Sequence, residues 1–172
     1  MIGVSHIKLR HFLPLIMTLL FFSCISTQQL EYKTNVYQKL ALRKECGDNF
    51  RLYEEAASWL NIPYADASCS RSGLDCSCLV FEIYKTVYDK TIERNTTALL
   101  KNNCRKINKN QLRVGDLVFF CTNYKTKTYV NHVGIYLKHN KFIHASVSKG
   151  VIVSDLDENY YKKAWVCGGR VK

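Results

Sequence analysis

Acidic residues are scarce in this sequence: 14 Asp and Glu stand against 25 Lys and Arg, a formal charge of +11 at pH 7. That balance favours polyanionic partners, whether nucleic acid, anionic membrane or an acidic wall polymer. The basic residues, among them Lys33, Arg51, Lys106, Lys162 and Arg170, are scattered. No nucleic-acid-binding motif organises them, which argues against a nucleic-acid partner. There is no C-x-x-C pair among the eight cysteines, so a thiol redox protein lacks its usual motif. Nor does the spacing of Cys69, Cys76 and Cys78 match a common structural-zinc pattern, so no metal is expected. Internal repeats and low-complexity stretches are absent, and no apolar run spans a bilayer comfortably. What is there is 172 residues with 47% hydrophobic and 23% charged content, enough for one globular domain with a real core.

The N-terminus reads as a secretory signal peptide over residues 1–23. Lys8, Arg10 and His11 precede an apolar run from Phe12 to Phe22. Phe21-Phe22-Ser23-Cys24 resembles the lipobox of bacterial lipoproteins, with Phe21 where Leu is commoner, and makes Cys24 the expected lipidation site. Two or more acyl chains there would hold the protein stably on a membrane. Residues 24–47 are polar and are expected to form a tether or a loosely docked arm with little order, leaving 48–172 as the globular domain. Export makes disulfides permissible. Apart from Cys24 and Cys76 there remain Cys46, Cys69, Cys78, Cys104, Cys121 and Cys167, and six cysteines allow about fifteen full pairings. Cys121 and Cys167 follow apolar runs and read equally well as small buried hydrophobes.

Along the domain, Leu52, Tyr53, Ala56, Ala57, Trp59 and Leu60 fall at helical spacing and Pro63 stops the pattern, with Asp48 as the expected N-cap. A loop from Tyr64 to Leu74 feeds a second helix near Ser77 to Tyr88, striped by Leu79, Val80, Ile83, Tyr84 and Val87. After a short helical stretch at Thr96 to Lys101, strands are predicted at Leu117–Cys121, Tyr129–Leu137, Lys141–Ser146, Val151–Ser154 and Trp165–Val171. The turn at Lys138 to Lys141 joins the second and third of these as a hairpin. Helices followed by about five antiparallel strands indicate an α+β domain.

Cys76 sits at the expected start of the second helix, where aligned peptide dipoles favour a negative sulfur. As one of eight cysteines it could equally be structural; a nucleophile needs a base as well. Beyond the signal segment only His132, His139 and His144 are available, and His139 lies in the turn. If the hairpin closes symmetrically, position 134 faces 144 and His132 lies two residues along on the same face. The two rings can then be neighbours, as a base and the partner that orients it.

Several blocks in order resemble the NlpC-type murein peptidases, within the papain-like enzymes. They are Pro63-Tyr64, Asp75-Cys76-Ser77, Arg113 to Phe120, His132-Val133-Gly134-Ile135-Tyr136, Phe142-Ile143-His144-Ala145-Ser146, Gly150 to Ser154 and Gly168 to Val171. The likeness runs from Asn49 to Lys172 and is nearest to the short Spr-like endopeptidase lipoproteins of Gram-negative bacteria. By resemblance Cys76 is the nucleophile, with a thiol pKa that in such enzymes can drop to about 3 to 4. His132 is the general base and later acid, and His144 its orienting partner. Tyr64 and the Cys76 amide serve the oxyanion. Asp75 and Ser77 bind substrate, although capping of the helix by Asp75 explains that residue as well. Two positions depart from the family pattern: Cys78 stands where Gly usually follows Asp-Cys-Ser, and Ala67-Ser68 replace a Gly-Gly; Cys78 is open to pairing with Cys69 or to competing as a thiol.

The resemblance implies a cofactor-free cysteine peptidase cutting peptidoglycan stem peptides or cross-links as a D,L- or D,D-endopeptidase. It is placed at the periplasmic face of the outer membrane by a lipid at Cys24. The alternative is a catalytically silent peptidoglycan-binding lipoprotein of the same fold.

Overall fold

The computed structural model describes residues 27–123 and 129–172. The signal segment and Cys24 lie outside the described residues. Residues 27–39 form a helix, α1, where a tether with little order is expected. Val36, Tyr37 and Leu40, at helical spacing, are buried, and the Tyr37 ring packs against Phe50 and Tyr53 at 6.0 and 5.7 Å. These buried residues dock the helix, and the Tyr32 hydroxyl adds a bond to Glu54 at 2.8 Å.

Helix α2 (Phe50–Trp59) buries Leu52, Tyr53, Ala56 and Trp59. Its N-cap is Asn49, whose side chain accepts from the Leu52 amide at 3.1 Å, not Asp48 as the sequence suggests. Asp48 instead accepts both bonds of Lys138, at 2.8 and 2.9 Å. A charge partner from a distant strand outweighs a local capping role. The short strands β1 (Cys69–Ser70) and β2 (Gly73–Leu74) make a small hairpin before α3 (Cys76–Tyr88). The α3 stripe, Leu79, Val80, Ile83, Tyr84 and Val87, is buried as its spacing requires. A single helical turn, α4 (Thr96–Ala98), widens into a π-helical turn at Leu99–Asn103.

The rest of the chain builds one antiparallel sheet. Its strands are β3 (Cys104–Ile107), β4 (Leu117–Phe120), β5 (His132–Lys138), β6 (Lys141–Ser146), β7 (Gly150–Asp155) and β8 (Trp165–Val171), in the order β3-β8-β4-β5-β6-β7. Six strands replace the expected five because Cys104–Ile107, too short and polar to read as a strand, pairs with β8. Helix α5 (Asn159–Ala164) precedes β8 and carries no sequence signal of comparable strength.

Strand alternation divides the core. Leu117, Phe119, Val133, Ile135, Leu137, Ile143 and Ala145 face the main core with α1, α2 and α3. Val118, Phe120 and Phe142 face a smaller cluster with Leu156, Tyr161 and Ala164. The expected hairpin is present: Ile135 pairs with Ile143 and Tyr136 with Phe142, while His139 and Asn140 take positive φ in the turn. This register lets β6 lie close to Gly134, where an added Cβ would stand 3.1 Å from the His144 Cβ. Glycine is needed there for backbone approach.

Candidate active site

Asp75 caps α3. Its Oδ1 accepts from the Cys78 amide at 2.7 Å, so Cys76 is the first residue inside the helix. The cap fixes the sulfur at the positive end of the peptide dipoles. Cys76 is buried at 7% exposure. Burial pushes its thiol up, helped by the Asp75 charge, and the Val133 amide, Thr96 hydroxyl and Ser77 amide oppose that by donating toward the sulfur. The net direction is upward, opposite to the depressed thiol the sequence suggests. Loss of water around the sulfur outweighs the donors.

His132 opens β5 and His144 lies on β6. His132 Nε2 and His144 Nδ1 are 2.9 Å apart, with the rings perpendicular. The pairing that the hairpin arithmetic suggests is therefore realised. Burial holds His132 well below its ordinary value, at about 4. Burial, and then the His132 charge, hold His144 well below the usual imidazole range. Burial favours the uncharged form of both rings and of the thiol. The His144 ring stacks on Phe142 at 4.9 Å between centroids, and Nε2 meets Tyr161 Oη at 3.0 Å and Ser154 Oγ at 3.2 Å.

Tyr64 is tied beside the start of α3 by backbone. The Leu74 amide donates to Pro63 O and the Ala65 amide to Leu74 O, each at 3.1 Å. The opposite side of this segment is buttressed by Gly150, at φ +70, whose Cα packs against the Ile62 carbonyl. The Tyr64 hydroxyl donates to Asp66 at 3.4 Å. Burial, then the Cys76 and Asp66 charges, push its pKa up to about 12, so it remains a donor at neutral pH.

Tyr64, Cys76, His132 and His144 line one cleft of about 630 Å³. Thr122, Asn131, Ser154 and Tyr161 share it. Asp75 and Ser77 do not line this cleft. Ser77 is buried with Oγ 2.6 Å from Arg94 O and 2.8 Å from Asp75 Oδ1, and Asp75 holds the helix cap. Sequence reasoning missed Thr96, Ser154 and Tyr161. Ser154 left a trace as the polar residue ending Val151-Ile152-Val153; Thr96 and Tyr161 left none, because their roles depend on where α4 and α5 settle.

Cys78 is fully buried and disulfide-bonded to Cys69, with Cα atoms 5.4 Å apart. It is thus no rival nucleophile. The bond joins the β1–β2 hairpin to the first turn of α3, at one of the positions that depart from the family pattern. Among the described residues the one cluster with metal-ligand composition is Cys69, Cys78 and Glu82, whose two sulfurs are joined to each other. Cys46, Cys104, Cys121 and Cys167 are free thiols.

Residues 61–170 match the model of the NlpC/P60 family. The chain belongs to the NlpC/P60 family. It is 32% identical over 152 residues to a probable endopeptidase NlpC homolog of Haemophilus influenzae, covering 86% of this chain and 77% of that protein. It is also 32% identical over 115 residues to the murein DD-endopeptidase MepS/murein LD-carboxypeptidase of Escherichia coli K12, covering 67% of this chain and 58% of that protein. In structure it resembles an NlpC/P60 family protein from Bacillus cereus, with TM-score 0.63 and 29% identity, across 70% of this chain and 39% of that one. The α+β architecture is accordingly the papain-like fold of the NlpC/P60 cysteine peptidases.

Proposed function

We propose that this protein is an exported peptidoglycan peptide hydrolase working through a Cys76 acyl-enzyme. The observation that carries the reading is the convergence of Cys76, Tyr64 and the 2.9 Å His132–His144 pair on one cleft. The endopeptidase names of the Haemophilus and Escherichia relatives support the substrate class.

In this reading His132 Nδ1 takes the thiol proton as sulfur attacks the peptide carbonyl. The proton passes from sulfur to imidazole, so the attacking group is the thiolate. The tetrahedral oxyanion accepts from the Tyr64 hydroxyl and the Cys76 amide. His132 then returns the proton to the amine leaving group. A water, deprotonated by the same imidazole, attacks the thioester and releases the acid, and the imidazole returns that proton to the departing Cys76 sulfur. Asp75 and Ser77 act by holding Cys76 in place, and substrate binding falls to the cleft residues.

The target is a bond in the stem or cross-link, with the D,D cross-link supported by the MepS relative. Lipidation at Cys24 would anchor the enzyme at the periplasmic face of the outer membrane. The test is digestion of purified sacculi by wild type and Cys76→Ala, with products identified by mass. Wild type is expected to release muropeptides whose ends identify the bond, and Cys76→Ala to release none. Equal products from both would refute the mechanism, and silence from both would favour a wall-binding role.

A further inference from the structure

His144 is 1% exposed and makes polar contacts at both ring nitrogens: Nδ1 with His132 Nε2 at 2.9 Å, Nε2 with Tyr161 Oη at 3.0 Å and Ser154 Oγ at 3.2 Å. A neutral imidazole has one proton, so the directions of these bonds are coupled. For His132 to accept a proton at Nδ1, its own proton must sit on Nε2 and be donated to His144 Nδ1. His144 must then carry its proton on Nε2 and donate it outward.

The outward side is built for that direction. A ring nitrogen has one in-plane lone pair and accepts well from one donor, whereas an N–H can be shared between two oxygens. Two oxygens, Ser154 Oγ and Tyr161 Oη, lie within reach of Nε2. Their positions are fixed by packing. Ser154 comes from β7, across the sheet from Phe142, and the Tyr161 ring stands edge-on to Phe142 at 4.9 Å between centroids. Tyr161 also contacts Phe120, at 5.3 Å between centroids.

We propose that Ser154 and Tyr161 are positioning residues that hold His144 as its Nε2–H tautomer, and through it hold His132 with its Nδ1 lone pair free to accept a proton in the cleft that Cys76 shares. The inference rests on the Cys76 acyl-transfer reading for its purpose, but the tautomers can be read without any substrate. It extends the Cys76–His132–His144 row by two positioning residues, reaching an element, α5, that carries no other part of the chemistry.

The test is ring-nitrogen NMR of ¹⁵N-histidine-labelled protein, with muropeptide release measured in parallel, for wild type, Tyr161→Phe, Ser154→Ala, the double variant and Ser154→Thr. In wild type both His132 and His144 are expected as Nε2–H. Tyr161→Phe keeps the ring packing, so a melting curve close to wild type is expected. In the double variant Nε2 of His144 has lost both acceptors. Its proton is expected on Nδ1, which drives His132 to Nδ1–H. The base then presents a proton to the thiol, and kcat is expected to fall at least about a hundredfold with KM little changed, as a wrong-tautomer histidine does elsewhere. Ser154→Thr keeps a hydroxyl and is expected to keep both tautomer and rate. Nδ1–H at His144 in wild type, or Nε2–H at both rings in the double variant, would overturn the proposal. Nε2–H rings in a wild type that releases no muropeptide would sustain the tautomer assignment and count against the hydrolase reading.

Discussion

The Tyr64 hydroxyl is lightly engaged in the cleft. Its one polar contact is a long bond of 3.4 Å to Asp66, and it stays protonated with a pKa pushed up to about 12. Tyr64→Phe removes that donor and keeps the ring. With the Cys76 amide left to face the oxyanion alone, kcat for muropeptide release is expected to fall between about 10²- and 10³-fold while KM changes little. Steady-state kinetics on a soluble muropeptide measures both. A KM rise at constant kcat would make Tyr64 a binding residue only. At this scale the sequence was informative wherever chemistry is local to a residue type. Cys76, His132, His144 and Tyr64 are all legible from identity, spacing and family likeness. The direction of the Cys76 thiol shift was not, because it depends on how much water the fold removes from the sulfur.

Elements show a different division. Periodicity places α2 and α3 within about two residues and β6 at Lys141–Ser146, since each carries enough apolar positions to declare its face. It misses α1, β3 and α5, which are short or mostly polar and are held by what they pack on. The link from α1 and α2 to the sheet runs through Asp48 and Lys138, both about 8% exposed at the side chain, with the Lys138 ammonium also 5.8 Å from the Tyr37 and Tyr53 ring centroids. Burial raises the Asp48 carboxyl, but bonds from Lys138, the Glu45 amide and Tyr37 outweigh it, and the net is below the usual carboxylate range. Lys138→Met leaves that carboxylate buried without its cation and is expected to destabilise the fold by about 3 kcal/mol. Urea unfolding measures it, and a loss under about 1 kcal/mol would mean that water replaces the ammonium.

Across the whole molecule, the two buried histidines tie stability to pH. Their folded values lie below the ordinary 6.5, His132 at about 4, so the folded state binds fewer protons than the unfolded chain in the window beneath 6.5. Their contribution is fully present above 6.5 and is lost as pH falls toward the folded values. The expected slope is at most about 1.4 kcal/mol per pH unit for each ring. Urea midpoints of Cys76→Ala should drop between pH 7 and 5, above the range where carboxylates titrate. Equal midpoints would show that the rings are hydrated or charged in the folded protein. The formal charge of +11 suits approach to an acidic wall polymer.

The sequence by itself determined the helix-then-sheet order, the hairpin that pairs two histidines, and the placement of Cys76 at a helix start, because each follows from local spacing or residue chemistry. Tertiary structure alone decided the Cys69–Cys78 bond among the possible pairings and the docking of α1. It also gave Asp48 to Lys138 instead of a helix cap, and brought Ser154 and Tyr161 to His144. These contacts join residues remote in the chain or unmarked by any local pattern, and their energies exist only once water has been removed between the elements that carry them.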